Sequence, residues 1–206
     1  MVCIEGNIGS GKTSLSRRLS IHRNTQFIGE EFEENPFLPL FYQNAPKYAF
    51  ALEFSFLVDR VRQMDRVVKS DDHFLSDYYI RKSIWFASVN LQNGQYAEYA
   101  ALFPDVTAHL PEPQALIFLH LPVDLLIKNI NIRGRKYEQE MKHEYLEMLN
   151  KTYLEQGKLP RPETSVLNFH LHSNRPDVYD RVFESVNYFL DKELTTNPQQ
   201  REFFFD

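Results

Sequence analysis

The stretch that decides the fold reads Gly6-Asn7-Ile8-Gly9-Ser10-Gly11-Lys12-Thr13, directly after an apolar run and directly before a helical pattern. It fits G-x-x-x-x-G-K-[ST], in which glycines let the backbone turn its N–H groups towards bound phosphates. The N-terminus of the following helix adds positive potential. A chance match is expected in about one in a hundred chains of this length. These eight residues therefore predict a nucleotide site, with Lys12 on the β- and γ-phosphates and the Thr13 hydroxyl on Mg²⁺.

Outward from this loop, short apolar runs alternate with helical patterns along the chain. Strands are predicted at residues 2–5, 26–29, 74–76, 116–121 and 165–171. Helices are predicted at residues 12–20, 48–69, 78–101, 123–132, 138–156 and 177–190. The strand runs are nearly continuous, which is typical of parallel strands covered on both faces. The pattern predicts an α/β fold with a five-stranded parallel sheet, helices on both faces and a long helical insertion between the second and fourth strands.

The composition of the 206 residues excludes several classes of protein. A hydrophobic share of 43% with 14% aromatics excludes a disordered chain. No run approaches the roughly 20 apolar residues of a membrane-spanning helix, and a net charge of -5 argues against nucleic-acid binding. Cys3 has no second cysteine to pair with, which favours a reducing compartment. We expect a cytoplasmic protein with one domain over residues 1–206 and a small lid.

Two groups of charged residues fit beside bound phosphates, and each has a simpler alternative. Asp77 ends an apolar strand, so it is predicted to be a second Mg²⁺-side carboxylate; the alternative is an N-cap for a helix from Tyr78. Arg133 and Arg135 flank Gly134 between two helical patterns, which favours a lid over moving phosphate groups. The alternative is a solvated basic turn at a helix C-terminus.

The order and spacing of these features resemble the deoxynucleoside kinase family, particularly its bacterial deoxyadenosine/deoxyguanosine kinase branch. The resemblance covers nearly the whole chain and implies the P-loop kinase fold, ATP with Mg²⁺, and a homodimer. It rests on the P-loop followed in order by Glu30, Tyr42, Glu53, Arg60, Asp77, Phe86-Ala87, Arg133-Gly134-Arg135 and Glu138. The resemblance places a lid at about residues 133–139, whose two arginines contact the donor phosphates.

The resemblance also assigns roles on the acceptor side. Glu30 stands where the family's general base meets the sugar 5′-hydroxyl, although the adjacent Glu31 stays an alternative. Such a base need only orient the hydroxyl and take its proton late, because the transition state is loose. Tyr42 and Glu138 match the pair that holds the 3′-hydroxyl, and Phe86 matches the aromatic side chain that stacks on the base. Ordinary packing explains Tyr42 and Phe86 equally well from spacing alone.

Three departures from the family pattern concern the base and the phosphoryl group. Glu53 replaces a base-reading glutamine, with Arg60 two helical turns later; a carboxylate that accepts and a guanidinium that donates to N7 or O6 favour a purine. The third strand ends in Asp77-Tyr78-Tyr79 without the family's arginine, for which Arg81 or Lys82 are candidate replacements. Asn129 likewise replaces an arginine one turn before the lid.

The leading hypothesis is therefore an ATP-dependent kinase for the 5′-hydroxyl of a deoxyribonucleoside, most consistent with a purine. A nucleoside monophosphate kinase of the thymidylate or adenylate kinase type is the nearest alternative, and it would need more cations on the acceptor side. A non-catalytic nucleotide-binding module is the third. An N-K-x-D motif is absent, which disfavours a GTPase. The tail from Thr195 to Asp206, which ends in Phe203-Phe204-Phe205, is expected to dock on its own domain or on a partner subunit.

Overall fold

A parallel sheet with helices on both faces organises the chain. The computed structural model describes residues 1–68, 72–138, 141–194 and 197–206. Within them the sheet has six strands in the order β2-β3-β1-β4-β5-β6, all paired in parallel. The strands are β1 Val2–Gly6, β2 Gln26–Ile28, β3 Phe74–Ser76, β4 Ala115–His120, β5 Ser165–Leu171 and β6 Gln200–Phe205. The helices are α1 Lys12–Arg23, α2 Phe37–Gln43, α3 Ala45–Val68, α4 Lys82–Asn90, α5 Asn93–Thr107, α6 Val123–Arg133, α7 His143–Lys158 and α8 Pro176–Lys192.

The core lies on both faces of the central strands β1 and β4, which are buried along their whole length. Successive side chains of a strand point to opposite faces. Ile4 and Ile117 accordingly join a cluster that includes residues of α1, α6 and α8, whereas Cys3 and Phe118 join one built mainly from α3, α4 and α5. Burial on both faces explains why these strands are continuous apolar runs in the sequence. Because the strands are parallel, their carboxyl ends, where the site lies, share one edge of the sheet.

The sheet has six strands, so the prediction of five was wrong by one. The tail forms β6 along β5, with Phe169 and Phe203 stacked at 4.6 Å between ring centroids and Phe205 buried. Phe204 points the other way and is 67% exposed. Four of the six residues of the strand are polar or exposed, because it lies at the edge of the sheet, and this weakens its apolar signal. The tail therefore docks on its own domain; its predicted start at Thr195 and Thr196 lies outside the described residues.

The predicted helix over residues 78–101 was also wrong, because two helices replace it. The segment after β3 stays non-helical as far as Arg81, since Tyr79 N–H donates to the Glu5 carboxylate at 2.6 Å. The chain then leaves α4 at Leu91, whose backbone is extended, and α5 begins at Asn93. The helix predicted over 138–156 instead begins at His143, after a single 3₁₀ turn at Lys136–Glu138.

Helix α2 was not predicted, because Pro36 precedes it and Pro39 lies inside it. The predicted end of the second helix at Lys69 lies outside the described residues. Among the residues that the structure describes, none of the helices combines the length and the apolar character needed to cross a membrane.

Candidate active site

The loop between β1 and α1 has the backbone conformation that its glycines predict. Gly9 and Gly11 have φ values of +85° and +89°, in the left-handed region that side chains disfavour. A Cβ on Gly11 would lie 2.7 Å from the Tyr179 ring, and one on Gly9 would lie 2.7 Å from the Leu126 carbonyl oxygen. Both close approaches require glycine. The loop is therefore held against α6 and α8.

Side chains from outside the motif fix the shape of this loop. Asn7 Nδ2 donates to the Leu146 carbonyl at 2.9 Å and to Asn150 Oδ1 at 2.7 Å, both on α7. The Tyr179 hydroxyl donates to the Ser10 carbonyl at 3.0 Å, and Asn129 Nδ2 donates to the Gly9 carbonyl at 2.8 Å. These contacts come from distant parts of the chain, so the motif alone could not reveal them. Asn129, which replaces an arginine of the family pattern, thus supports the loop.

Thr13 and Asp77 lie together, as a shared Mg²⁺ site would require. The Thr13 hydroxyl donates to Asp77 Oδ2 at 2.5 Å, and the second Asp77 oxygen accepts the Glu30 N–H at 2.8 Å. The alternative role of Asp77 as an N-cap was wrong, because the next helix begins five residues later at Lys82. Mg²⁺ is usually held by one or two protein oxygens plus phosphates and water. A hydroxyl beside a buried carboxylate fits that requirement.

Glu30 is a mostly buried carboxylate, with 12% of its side chain exposed, and two cations hold it. Arg60 donates from Nε to Glu30 Oε1 at 3.0 Å and forms an ion pair with the same oxygen, and Lys82 Nζ donates to Oε2 at 2.6 Å. Burial alone would raise the pKa of Glu30, but Lys82 and Arg60 outweigh it and hold that pKa well below its ordinary value. The alternative base Glu31 is exposed, with Arg66 3.9 Å away.

The two residues predicted to read the base occupy different environments. Arg60 also donates to Ser83 Oγ at 2.8 Å, so its guanidinium holds Glu30 rather than pointing at a free base edge. Glu53 is 1% exposed, and its Oε1 accepts a hydrogen bond from Asn90 Nδ2 at 2.6 Å. Its Oε2 is buried without a hydrogen-bond partner. Burial raises the pKa of Glu53 to about 7, with Asn90 and Arg60 acting against that rise.

The lid folds down on the acceptor side. Arg133 donates to Glu138 Oε2 at 2.6 Å, and Arg135 lies 3.4 Å from Glu138 Oε1. Tyr137 stacks on Tyr42 at 6.0 Å between ring centroids. The structure therefore brings both lid arginines next to Glu138 and Tyr42. Residue Gln139 of the predicted lid lies outside the described residues.

Two cavities meet at this cluster. An open cleft of about 1140 Å³ runs over the loop, and a smaller cavity of about 90 Å³ lies below the lid, lined also by Tyr42, Glu53, Arg60, Phe86 and Glu138. Seven residues line both cavities: Lys12, Thr13, Glu30, Phe32, Asp77, Arg133 and Arg135. The arrangement can hold a phosphate chain on one side and an uncharged, aromatic-stacking molecule on the other, with one carboxylate between them.

Of the two candidates for the missing arginine, only Lys82 reaches the cluster. Arg81 points elsewhere, 3.4 Å from Glu112 and 3.0 Å from the Tyr79 hydroxyl. Lys82 Nζ lies 5.2 Å above the Phe86 ring as well as against Glu30. Because Arg81 and Lys82 are adjacent in the sequence, spacing alone could not tell which of them faces the cluster. In the structure α4 begins at Lys82, and it is Lys82 that contacts Glu30.

Comparison with known proteins identifies the family of this chain. A family model described as deoxynucleoside kinase matches residues 2–191. This chain belongs to the deoxynucleoside kinase family. It is 35% identical over 176 residues to a deoxyguanosine kinase of Bacillus subtilis (strain 168), over 81% of this chain and 84% of that protein. It is 30% identical over 149 residues to a deoxyadenosine kinase of Lactobacillus acidophilus, over 68% of this chain and 69% of that protein.

The fold is shared with solved structures. A deoxyadenosine kinase from M. mycoides with bound dATP superposes with a TM-score of 0.79 over 93% of this chain and 99% of that one, at 23% identity. The predicted family and the predicted α/β kinase fold are both confirmed. The protein is a nucleoside kinase, and the phosphoryl donor in its family is ATP.

Proposed function

We propose that this kinase transfers the γ-phosphoryl group of ATP to the 5′-hydroxyl of a purine deoxyribonucleoside. One observation carries the proposal: the carboxylate of Glu30, 12% exposed, lies where the phosphate cleft and the small cavity meet. A hydroxyl in the small cavity would contact Glu30 on one side and the terminal phosphate above Lys12 on the other. Glu30 then orients that hydroxyl and takes its proton as the phosphoryl group moves.

On the donor side, the loop from Gly6 to Thr13 holds the triphosphate through its N–H groups and Lys12. Arg133 and Arg135 contact the donor phosphates once these draw the lid arginines away from Glu138. Thr13 and Asp77 would hold Mg²⁺, which would supply charge neutralisation for the donor phosphates. The 2.5 Å contact between those two side chains supports a shared role.

On the acceptor side, Tyr42 and Glu138 hold the 3′-hydroxyl, and Phe86 stacks on the base. Glu53 reads the base edge with its unpartnered oxygen, which supports a base that offers N–H groups. The relatives named deoxyguanosine kinase and deoxyadenosine kinase support a purine. Arg60 holds Glu30, a role that its contacts favour over contact with the base.

A monophosphate acceptor is disfavoured by the charges of the small cavity. Glu30, Glu53 and Glu138 line it, and the two cations that line it without also lining the phosphate cleft, Arg60 and Lys82, are both paired with Glu30. A second phosphate would meet carboxylates rather than free positive charge. The intact phosphate loop and Glu30 likewise argue against a non-catalytic module.

Steady-state assays test the proposal directly. ATP and Mg²⁺ are supplied with each of the four deoxyribonucleosides, and deoxyadenosine and deoxyguanosine 5′-monophosphates serve as matched controls. We expect the largest kcat/KM with a purine deoxyribonucleoside and no turnover of the monophosphates. Turnover of monophosphates alone, or of none of the acceptors, would refute the proposed function. The single domain over residues 1–206, the homodimer and the cytoplasmic location stay predictions.

A further inference from the structure

Lys82 occupies a position where a lysine is costly. It is 4% exposed and forms the first residue of α4. The N-terminal end of a helix carries partial positive charge, which disfavours a cation there. Burial adds a desolvation penalty to that repulsion. The only ion pair of Lys82 among the described residues is with Glu30, so the explanation for its place lies in that contact.

Neutralising Glu30 does not require Lys82. Arg60 already holds Glu30 Oε1 through two of its nitrogens, and its third donates to Ser83. Glu30 thus has two cations paired with it beside the phosphate loop, where the buried carboxylates of Glu5 and Asp77 also lie near Lys12. The charge of Lys82 also acts on Lys12, and the two ammonium groups repel each other. An anion between them would relieve that repulsion.

The two oxygens of Glu30 are not equivalent. Oε1 is fixed by the planar fork of Arg60, whereas Oε2 is bound by Lys82 alone. An acceptor hydroxyl can take the place of a single flexible ammonium group far more easily than that of a fork anchored on Ser83. The side chain of Lys82 has four methylene groups and can rotate about the bonds between them. Both Lys82 and Lys12 line the small cavity.

We propose that Lys82 is a catalytic cation that leaves Glu30 Oε2 for the transferred phosphoryl group when the acceptor binds. This assignment rests on the proposed function. The 5′ oxygen forms its bond to the γ-phosphorus, and the bond from that phosphorus to the β,γ-bridging oxygen breaks. The bridging electrons stay with ADP, and the hydroxyl proton passes to Glu30 Oε2. Lys82 keeps its own protons throughout and neutralises charge on the moving phosphoryl oxygens.

Lys82→Met in the full chain tests this assignment, with Arg81→Met as the matched control. Without the cation, kcat with a purine deoxyribonucleoside should fall about 100-fold, whereas KM for ATP and for the deoxyribonucleoside should change less than about threefold. Lys82→Arg keeps the charge and should recover about tenfold of the lost kcat. Arg81→Met should keep kcat within about twofold, because Arg81 contacts Glu112 instead of Glu30.

Thermal unfolding of each variant separates loss of folding from loss of catalysis. We expect little change in the unfolding midpoint of Lys82→Met, since Arg60 still balances Glu30. If that variant does not fold, Lys82→Gln removes the charge but keeps a hydrogen-bond donor, and the same loss of kcat is expected. A folded uncharged variant with wild-type kcat, or with a loss confined to KM, would overturn the assignment. Absence of wild-type turnover with every deoxyribonucleoside would instead overturn the proposed function itself, and this assignment with it.

Discussion

At the scale of single residues, the chemistry of Glu53 depends strongly on its surroundings. One of its oxygens is bound by Asn90, and the other is buried without a partner beside the small cavity. An ionised carboxyl only accepts hydrogen bonds, whereas a protonated one also donates. Burial raises the pKa of Glu53 to about 7, so both forms are present near neutral pH. We therefore expect its protonation state to affect which purine is bound.

We predict that the choice between deoxyguanosine and deoxyadenosine depends on pH. Guanine offers two adjacent N–H donors on its Watson–Crick edge, which match the ionised carboxylate that prevails above pH 7. Adenine offers one acceptor and one donor there, which match the protonated form below pH 7. The ratio of kcat/KM for deoxyguanosine over deoxyadenosine should rise about fivefold to tenfold with increasing pH, as Glu53 loses its proton. Steady-state assays between pH 6 and 8 measure it.

Glu53→Gln is the matched control for that prediction. The amide has nearly the same shape but does not titrate, so the ratio should become independent of pH over the same range. A pH-dependent ratio that survives in Glu53→Gln would contradict the role of this carboxyl. A flat ratio in the wild-type protein would contradict it equally.

The sequence could predict the identities of the site residues better than their contacts. The phosphate loop was predictable, because each residue of the motif acts through the local backbone. Arg60 was not, since its position on α3 was compatible with the base and only the tertiary structure aligns its fork with Glu30. Lys82 and Arg81 were indistinguishable for the same reason. The start of α4 decides which one faces the site.

At the scale of elements, β6 completes the sheet and shows how one strand can divide its side chains. Phe205 is buried and lies against α8, with the Arg181 guanidinium 4.8 Å from its ring centroid. Phe204 is 67% exposed and stacks on His170 at 4.7 Å. The two neighbours are the same residue type in the same strand. They therefore allow a matched test of what holds the tail.

We predict that Phe205→Ala destabilises the fold far more than Phe204→Ala. Removing the buried ring should lower the free energy of unfolding by about 3 kcal/mol, through lost transfer energy and the cavity left behind. Removing the exposed ring should cost less than about 1 kcal/mol. Urea denaturation of both variants measures the difference. Equal losses would contradict the role of Phe205 in core packing.

The elements were predictable where their signals were local and not where their partners were distant. The buried runs of β1, β4 and β5 and the pattern of α8 all appear within a few residues of their predicted bounds. The break between α4 and α5 does not, because the extended backbone at Leu91 interrupts a continuous apolar pattern. Strand β6 was missed because its signal is divided between a buried and an exposed face.

At the scale of the whole molecule, the carboxyl ends of the strands bring donor and acceptor chemistry to one place. The phosphate loop follows β1, Glu30 follows β2 and Asp77 follows β3. Helix α3 supplies Glu53 and Arg60 from the inserted layer, and the lid closes from above. The fold thus separates a phosphate cleft from a small cavity while leaving Glu30 on the boundary. We infer that the carboxylate of Glu30, at this boundary, receives the proton of the acceptor hydroxyl.

The most direct test of that claim is kcat and ATP affinity measured on Glu30→Gln, with Glu31→Gln as control. We predict that Glu30→Gln lowers kcat with a purine deoxyribonucleoside by about 100-fold to 1000-fold, because the amide cannot take the proton. The dissociation constant for ATP should change less than about threefold, since the phosphate loop is untouched. The exposed Glu31 should tolerate the same change without loss. Full kcat in Glu30→Gln, or its loss in Glu31→Gln instead, would contradict the account.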